Sequence, residues 1–278
     1  MKTEVKWIIE GELWDDGSTE RLKVSLAKIG VPCIEISPEN ARNGMKSLGE
    51  KEECIIFYGS LETAKEVLMK KPWIPGAFYT PKNYNCSRYY PVFGKYLLNA
   101  DRYAIYPYGD LIRMKDVIFA FFSEDRALFI RPDDGEKSFT GRLILKENYE
   151  KDVEYCGFYG VSPHTMVVVS APKNIVSEWR FFVAEGKVIT GSQYRQGSLV
   201  IYSPDVEEGA MALADETAGL YSPDGVWALD ICKTQSGNYY VLEIGCMSCA
   251  GLYACDTDKL VETATKIAIK EYKSYQEI

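Results

Sequence analysis

One segment constrains the fold more than any other part of the chain: residues 226–245, VWALDICKTQSGNYYVLEIG. Two stretches rich in β-branched and aromatic residues flank Ser236-Gly237, which is typical of a tight two-residue turn, so the segment predicts a β-hairpin. Counting outward from that turn gives three opposed pairs, which are Asp230 with Glu243, Leu229 with Ile244, and Ile231 with Leu242. The aliphatic side chains then share one face of the hairpin, and the two acids share the other.

The two acids of this hairpin predict a metal site. Directly opposed residues have Cβ atoms about 4.5–5.5 Å apart, so two bare carboxylates there would repel and the pKa of one would rise. A bound Mg²⁺ ion removes that repulsion and gains hard oxygen ligands. The alternatives are that one acid points to solvent, or that Lys233 or another cation neutralises the pair.

Composition and charge exclude several classes of protein. A formal charge of −8 over 278 residues gives no indication of a basic surface for nucleic acid, and a local basic groove stays open as an alternative. No apolar run approaches the ~20 residues of a membrane helix, and the N-terminal residues lack the apolar core of a signal peptide. Eight scattered cysteines without a disulfide framework are typical of reduced thiols, so we expect a cytoplasmic protein.

Histidine and cysteine usage narrows the possible chemistry. The only histidine is His164, which argues against Ser/His or Cys/His nucleophilic catalysis. Cys246 and Cys249 form a single CxxC without a second pair, which favours small residues in a tight loop over a zinc site or a redox pair. The chemistry must therefore rely on carboxylates, arginines, lysines and a metal ion.

Three stretches of the chain differ in texture and predict three domains. In residues 1–91, strands at Val5–Glu10, 31–36 and Cys54–Tyr58 alternate with helices at 18–30 and Leu61–Lys70, which predicts a small α/β domain ending in a loop from residue 71. Residues 92–195 contain hairpins, with strands expected at 118–122, 127–131 and 166–169. Residues 196–278 hold a helix at 206–220, the acid hairpin and an amphipathic helix at 257–275.

Two further segments of the middle stretch can bind an anion. The loop of residues 131–143, RPDDGEKSFTGRL, carries glycines and cations that can cover phosphates, although it can equally be a plain polar hairpin loop. In the segment of residues 177–195, a turn at Glu185-Gly186 places Glu178 opposite Gln193 and Arg180 opposite Gly191. Arg195 then continues the same polar face, which is either a surface salt-bridge ladder or a cationic row that meets a phosphate.

The order of these parts resembles the ATP-grasp superfamily. The matching motifs are FIRPDDGEKSFTG, MVVVSAP, SEWRFFV, and LDIC followed by VLEIG. They are similar to the divergent clade named for a signature arginine and two lysines, which has phage and bacterial members and is related to a eukaryotic initiation-factor assembly protein. The resemblance covers residue 92 to the C-terminus and implies a nucleotide held between two α+β subdomains, with the small α/β domain before them.

The resemblance also implies roles for individual residues. It places Arg131, Lys137 and Lys146 on the phosphates of ATP, and it makes Asp230 and Glu243 the Mg²⁺ ligands. The backbone of a hinge after the middle strands would meet adenine, and Glu178 would belong to the nucleotide site. Arg180 would act near the γ-phosphate and Arg195 would be the downstream cation of the same sheet, and both would be catalytic. The hinge residues are Val169, Ser170 and Ala171.

The expected reaction is ATP-dependent joining of a small-molecule or peptide carboxylate to an amine, thiol or similar nucleophile through an acyl phosphate. One position departs from the family pattern, because Gly245 stands where the family commonly has an asparagine that binds the metal. A nucleotide-binding assembly or regulatory protein without turnover is therefore one alternative, and a kinase-like phosphoryl transferase is another.

Overall fold

The computed structural model describes residues 4–11, 13, 17–48, 51–122, 126–158 and 160–277. Its N-terminal part is a parallel four-stranded sheet, here called the N-terminal sheet, with strand order β2-β1-β3-β4. Its strands and helices are β1 (Val5–Glu10), α1 (Ser18–Lys28), β2 (Cys33–Ile36), α2 (Pro38–Arg42), β3 (Cys54–Tyr58), α3 (Leu61–Lys70) and β4 (Ile74–Gly76). The apolar side chains of β1 and β3 are buried on both faces, as expected of a parallel sheet covered on both sides.

The second sheet, here called the middle sheet, is antiparallel with strand order β5-β8-β6-β7. The elements of this part are α4 (Cys86–Phe93), β5 (Tyr103–Pro107), α5 (Lys115–Phe122), β6 (Ala127–Pro132), β7 (Arg142–Leu145), α6 (Tyr149–Gly157) and β8 (Met166–Ser170). Helices α5 and α6 pack in one apolar cluster with Val167 and Val169. Val168 belongs to a different cluster, so the other face of the sheet looks towards the rest of the molecule.

The third sheet, here called the C-terminal sheet, is antiparallel with strand order β11-β10-β9-β12-β13. Its elements are β9 (Ile175–Ala184), β10 (Lys187–Gln196), β11 (Leu199–Ser203), α7 (Glu208–Ala218), β12 (Val226–Thr234), β13 (Tyr239–Cys246), a 3₁₀ turn (Met247–Cys249) and α8 (Thr257–Gln276). Helix α8 packs on this sheet and on the N-terminal sheet in one apolar cluster. The indole N–H of Trp7 donates to Thr265 Oγ1 at 3.1 Å, which joins the first strand to the last helix.

Two predicted elements of the first half of the chain are wrong. Residues 118–122 form part of helix α5, not a strand, because Phe119 and Phe122 are buried while Val117 and Phe121 are 60% and 57% exposed. A short apolar run alone does not distinguish a strand from a buried helix. The expected loop from residue 71 contains β4 and α4, and Tyr89 of α4 is fully buried.

The sheets also bear on the domain boundaries. The boundary expected between residues 195 and 196 falls within the C-terminal sheet, inside β10 (Lys187–Gln196). The chain passes from one sheet to the next between β8 and β9, so we propose that the last subdomain begins near residue 171. Among the helices of the described residues, none combines the length and the apolar character that crossing a membrane requires.

The acid hairpin has the expected central pair but a different turn. Asp230 opposes Glu243 and Leu229 opposes Ile244, as expected, whereas Ile231 opposes Val241 and not Leu242. The strands are joined by residues 235–238, a longer connection that shifts the register near the turn by one residue. A bulge between Asp230 and Ile231 then restores it.

The second hairpin turns at Glu185-Gly186 as expected, with positive φ at both residues. Two bulges in β10 then change the pairing, so that Arg180 opposes Ser192 and Glu178 opposes Arg195. The expected partners Gly191 and Gln193 are therefore wrong. Gln193 instead opposes Trp179.

Candidate functional site

A row of polar side chains crosses four strands of the C-terminal sheet. Ser192 of β10 opposes Arg180 of β9, Arg180 opposes Asp230 of β12, and Asp230 opposes Glu243 of β13. Directly opposed residues lie on the same face of a sheet, so these four side chains face one side. The aliphatic residues Leu229 and Ile244 face the other side, in the core beneath.

Arg180 holds Asp230 with two parallel hydrogen bonds. Nε donates to Oδ1 at 2.8 Å and Nη2 donates to Oδ2 at 2.7 Å, while Nη1 donates to the carbonyl of Gly251 at 3.2 Å. The side chains are only 12% and 3% exposed. Burial raises the pKa of Asp230, and the Arg180 guanidinium counters this by stabilising the carboxylate. Such fork-to-fork geometry also matches a phosphate.

Arg131 pairs with Glu243 and bridges two sheets. Its Nη2 lies 3.0 Å from Glu243 Oε2, and the side chains are 17% and 28% exposed. Arg131 opposes Val168 in the middle sheet and therefore lies on the face away from α5 and α6. Burial works to raise the pKa of Glu243, but the charges of Arg131, Lys137 and Arg180 outweigh it and hold the pKa below its usual value. The site thus lies in a cleft between the middle and C-terminal sheets.

The cation that the sequence analysis named as a possible partner of the acids lies elsewhere. Lys233 Nζ is 2.7 Å from Glu207 Oε2. The two acids are neutralised instead by Arg180 and Arg131, which come from different strands. The alternative of a neutralising cation is therefore correct for this structure, but the cation is not Lys233.

Glu178 forms a second acidic position in the cleft. It accepts a hydrogen bond from the Tyr194 hydroxyl, and Arg195 Nη1 donates to its Oε1 at 3.2 Å. Burial raises the pKa of Glu178, with Tyr194 and Arg195 acting in the opposite direction. Arg195 is 49% exposed and therefore lies at the rim of the cleft.

Two tyrosines that the sequence analysis missed lie beside the Arg180 guanidinium. Its Cζ lies 5.6 Å from the ring centre of Tyr194 and 5.0 Å from that of Tyr253, and the two rings stack at 4.8 Å. Tyr202 of the edge strand β11 stacks on Tyr253 at 5.7 Å. Tyr194 occupies the second bulge of β10. A bulge shows no periodic signal in the sequence, so this contact could not be expected from strand alternation.

The phosphate-loop candidate is folded and carries an exposed lysine. Asp134 accepts hydrogen bonds from the amide and hydroxyl of Ser138, and Asp133 accepts from those of Ser87 at the start of α4. Within the part of the chain that the structure describes, Lys137 makes no salt bridge. Burial and Arg131 have the largest effects on the pKa of Glu243, and the charge of Lys137 comes next and lowers it. It also lowers the pKa of Asp230, after the larger effects of burial and Arg180, so the ammonium lies within electrostatic reach of both acids.

Lys146 does not join this group. Its ammonium lies 5.2 Å from the ring centre of Phe119 on α5, on the helix-covered side of the middle sheet. Its role on the phosphates stays a prediction, and its position does not support it.

The hinge residues lie where the middle sheet ends. Val169 and Ser170 are paired with β5 on one side and β6 on the other, whereas Ala171 follows the end of β8. A cavity of about 880 Å³ opens beside Lys173 and Asn174, which follow Ala171 in the chain. It is lined by Tyr90, Pro91, residues 94–103 in part, Lys173, Asn174, residues 234–236 and Tyr240. Tyr240 opposes Cys232, so it lies on the same face of the sheet as Asp230.

The oxygen atoms present suit Mg²⁺. The described residues contain no cluster of three or more His, Cys, Asp or Glu side chains that could enclose a metal. Mg²⁺ needs no such cage, because it is commonly held by one or two carboxylates together with substrate phosphates. Asp230 and Glu243 provide two opposed carboxylates, provided that the arginines release them. The donor set therefore fits a metal that arrives with a phosphate ligand.

Solved structures of similar fold were found. D-cycloserine synthetase DcsG matches with a TM-score of 0.66 at 13% identity, over 95% of this chain and 99% of that one. D-alanine–D-alanine ligase from Bacillus anthracis matches at 0.57 and 10% identity, over 98% and 99%. ATP-grasp ligase PsnB in complex with a minimal precursor matches at 0.56 and 14% identity, over 96% and 100%. At these identities the likeness shows the fold alone.

A search of curated proteins by sequence found no match. The family model described as "ATP-grasp domain, R2K clade family 2" matches residues 111–263, which is more than half of the chain. This range contains Arg131, Arg180, Asp230 and Glu243. The chain has the ATP-grasp fold and belongs to the R2K clade of ATP-grasp domains.

Proposed function

We propose that this protein is an ATP-dependent ligase that joins a carboxylate to an amine through an acyl phosphate. The observation that carries the proposal is the pairing of Asp230 with Arg180 and of Glu243 with Arg131 in one cleft. Two arginines beside two carboxylates can bind both parts of a magnesium nucleotide, since guanidinium binds phosphate and carboxylate binds Mg²⁺.

The nucleobase would occupy the cavity beside the hinge. The volume of about 880 Å³ lies within the usual range for ligand sites. Because Val169 and Ser170 are engaged in the sheet on both sides, the backbone groups for the base would come from Ala171 and the residues after it. From there the phosphates would extend along the sheet face towards Arg131 and Lys137.

Nucleotide binding would exchange the partners inside the cleft. Phosphate oxygens compete with Asp230 and Glu243 for the two guanidinium groups, and the carboxylates that are released become available as ligands for Mg²⁺. When bound, Mg²⁺ would neutralise the charge of the phosphates. Before a nucleotide binds, the arginine–carboxylate pairs would thus balance four charges, of which Asp230 is the most deeply buried.

The chemistry then needs no side-chain nucleophile. An oxygen of the substrate carboxylate attacks the γ-phosphorus and ADP leaves, which forms the acyl phosphate. The amine next attacks the acyl carbon, inorganic phosphate leaves, and the amide forms with loss of a proton. Arg180 and Arg195 would stabilise the charge on the transferring group. This mechanism suits a chain with one histidine.

The named activities of the structural neighbours support this choice of reaction. A D-cycloserine synthetase, a D-alanine–D-alanine ligase and the ligase PsnB share the fold. PsnB has been solved with its precursor peptide and AMPPNP, and with a minimal precursor, Mg and ADP. For this chain the substrates would be a small-molecule or peptide carboxylate and an amine.

Gly245 supports a second candidate, a protein that binds ATP without turnover. It lies two residues beyond Glu243 on the same strand and offers no side-chain oxygen to a metal. The metal would then have Asp230, Glu243, phosphates and water as its only ligands, which is sufficient for binding but weaker for catalysis.

The test is release of ADP from Mg-ATP in the presence of pooled carboxylates and pooled amines, together and separately. The ligase proposal expects ADP only when both pools are present. Glu243→Gln should lower that rate by at least about a hundredfold, because its carboxylate would hold the metal. Glu207→Gln is the matched control, since it removes the neighbouring acid that pairs with Lys233 outside the cleft.

The other outcomes separate the candidates. Thermal stabilisation by Mg-ATP without ADP under any mixture would favour the non-catalytic protein. A phosphorylated product without an amine would favour a kinase-like transferase. Equal rates of ADP release for Glu243→Gln and Glu207→Gln would mean that Glu243 does not belong to the active site.

A further inference from the structure

The CxxC motif follows directly after the strand that carries Glu243. Cys246 is the last residue of β13, and Cys249 ends the 3₁₀ turn that comes next. Cys246 is the extended N-cap residue of that turn and Cys249 is its third residue, so the Cys246 side chain is placed to meet the amide and the thiol of Cys249. The two sulfur atoms are close enough to share a hydrogen bond, and both side chains are partly exposed.

The surroundings of the turn hold the two thiols in place. The amide of Gly59 donates to the carbonyl of Ser248 at 2.8 Å, and the amide of Phe78 donates to Ser248 Oγ at 2.9 Å. The Tyr58 hydroxyl donates to the carbonyl of Ala250 at 2.9 Å. Three hydrogen bonds from two separate segments therefore fix the short loop that presents both sulfur atoms.

The two thiols differ in acidity. The Cys249 thiol donates a hydrogen bond to the Cys246 sulfur, and with further help from the Lys137 charge and the Cys249 amide this lowers the pKa of Cys246 despite burial. The same hydrogen bond raises the pKa of Cys249. Elsewhere burial raises the pKa of the thiols, to about 11 for Cys33. A thiol of lowered pKa beside a partner of raised pKa is the arrangement of a redox-active pair.

A metal site is a poorer explanation of this pair. Structural zinc is bound by four ligands, with the thiolates accompanied by further Cys, His or acidic residues. No group of three such residues that could hold a metal occurs among the residues the structure describes. Two thiols without further ligands suit disulfide chemistry better.

We propose that Cys246 and Cys249 form a reversible disulfide by reaction with small-molecule disulfides. The Cys246 thiolate attacks one sulfur of the small disulfide, which forms a mixed disulfide and releases one small thiolate. Cys249 gives its proton to that thiolate and attacks the Cys246 sulfur, which releases the second small thiolate. This thiolate takes from water the proton that Cys246 had given up. Two electrons pass from the two cysteines to the small disulfide, which becomes two thiols. The ligase reaction is not required for this exchange.

The experiment follows the intact full-length protein in buffers of reduced and oxidised glutathione, with mass spectrometry after acid quench and alkylation. We expect the wild type to lose two hydrogen atoms and to give a peptide with Cys246 linked to Cys249. Cys249→Ser should stop at the mixed glutathione adduct on Cys246. Cys246→Ser should lower the rate of reaction at pH 7 by about tenfold or more. Cys33→Ser is the matched control and should behave as the wild type, since Cys33 is also partly exposed.

Three results would overturn the proposal. The first is that no ratio of the two glutathiones gives a linkage between Cys246 and Cys249. The second is that Cys249→Ser collects no adduct on Cys246 while its melting temperature matches that of the wild type. The third is that Cys33 reacts as fast as Cys246 in the wild type.

Discussion

At the scale of single residues, the opposed acids of β12 and β13 form ion pairs with arginines and are also the proposed ligands of Mg²⁺. In this structure Arg180 and Arg131 neutralise Asp230 and Glu243, and Lys233 is engaged with Glu207. The sequence predicted that the acids face each other and must be compensated, and this pairing holds because a bulge offsets the longer turn. The sequence could not show by which cation, since both arginines come from strands that are distant in sequence.

Arg180→Ala separates the two possible partners of Asp230, the guanidinium and the metal ion. Removing one member of a buried ion pair costs about 3–5 kcal/mol, so the variant should melt at a lower temperature than the wild type. Mg²⁺ without nucleotide should then stabilise the variant more than the wild type, since both oxygens of Asp230 are free to bind it. The measurement is the melting temperature at increasing Mg²⁺ concentration.

Lys233→Ala is the control for this prediction, because it removes a cation from the same hairpin outside the cleft. Its melting temperature should depend on Mg²⁺ as that of the wild type does. The same dependence in Arg180→Ala would mean that Asp230 binds no metal.

At the scale of elements, irregularities in the strands decide which side chains meet. The expected pair of Asp230 and Glu243 is confirmed even though the turn is longer than expected, since a bulge compensates for the extra residues. In β10 the two bulges instead change the expected pairing, so that Glu178 lies opposite Arg195 and not opposite Gln193. Alternation predicts which face a strand buries, but a bulge depends on the neighbouring strands and has no pattern of its own.

Gly245→Asn tests whether the end of β13 can be completed as a metal site. A Cβ built at this position would lie 4.0 Å from its nearest neighbour, the Cβ of Ala228, so the side chain has room. Gly245 stands two residues after Glu243 on the same strand, and its added amide oxygen would face the cleft. We expect the variant to bind Mg-ATP several-fold more tightly, with stability unchanged within about 0.5 kcal/mol. Titration calorimetry at fixed Mg²⁺ measures this.

Gly237→Asn is the matched control at the other end of the same hairpin. Gly237 has φ of +85° and nothing within 4 Å of a built Cβ, and asparagine tolerates positive φ better than most residues. Its affinity for Mg-ATP should equal that of the wild type. If both variants gained affinity, the effect would not arise from a ligand at position 245.

At the scale of the whole molecule, local patterns predicted elements better than their assembly. The strands at Val5–Glu10 and Cys54–Tyr58 and the helix at Leu61–Lys70 are confirmed, because apolar periodicity and caps such as Ser60 define them locally. Helix α8 packs on both the N-terminal and the C-terminal sheet. This packing depends on contacts such as that of Trp7 with Thr265, which are 258 positions apart. No local signal encodes such a contact.

The same assembly predicts how stability depends on pH. Burial raises the pKa of Glu271 on α8 to about 7, with Asp224 adding to it. The folded protein binds that proton more tightly than the unfolded chain, so this contribution to stability is full below about pH 4.5 and is lost as the pH rises through 7. Glu271→Gln should have the same melting temperature as the wild type at pH 5 and one roughly 2–5 °C higher at pH 8. This corresponds to a free energy of unfolding about 1–2 kcal/mol higher, after allowance for partial exposure of the side chain.

Glu262→Gln is the control, because Glu262 lies on the exposed side of the same helix. Its melting temperature should not diverge from that of the wild type between pH 5 and 8. Parallel curves for wild type and Glu271→Gln from pH 5 to 8 would show that the buried carboxyl group does not carry the effect.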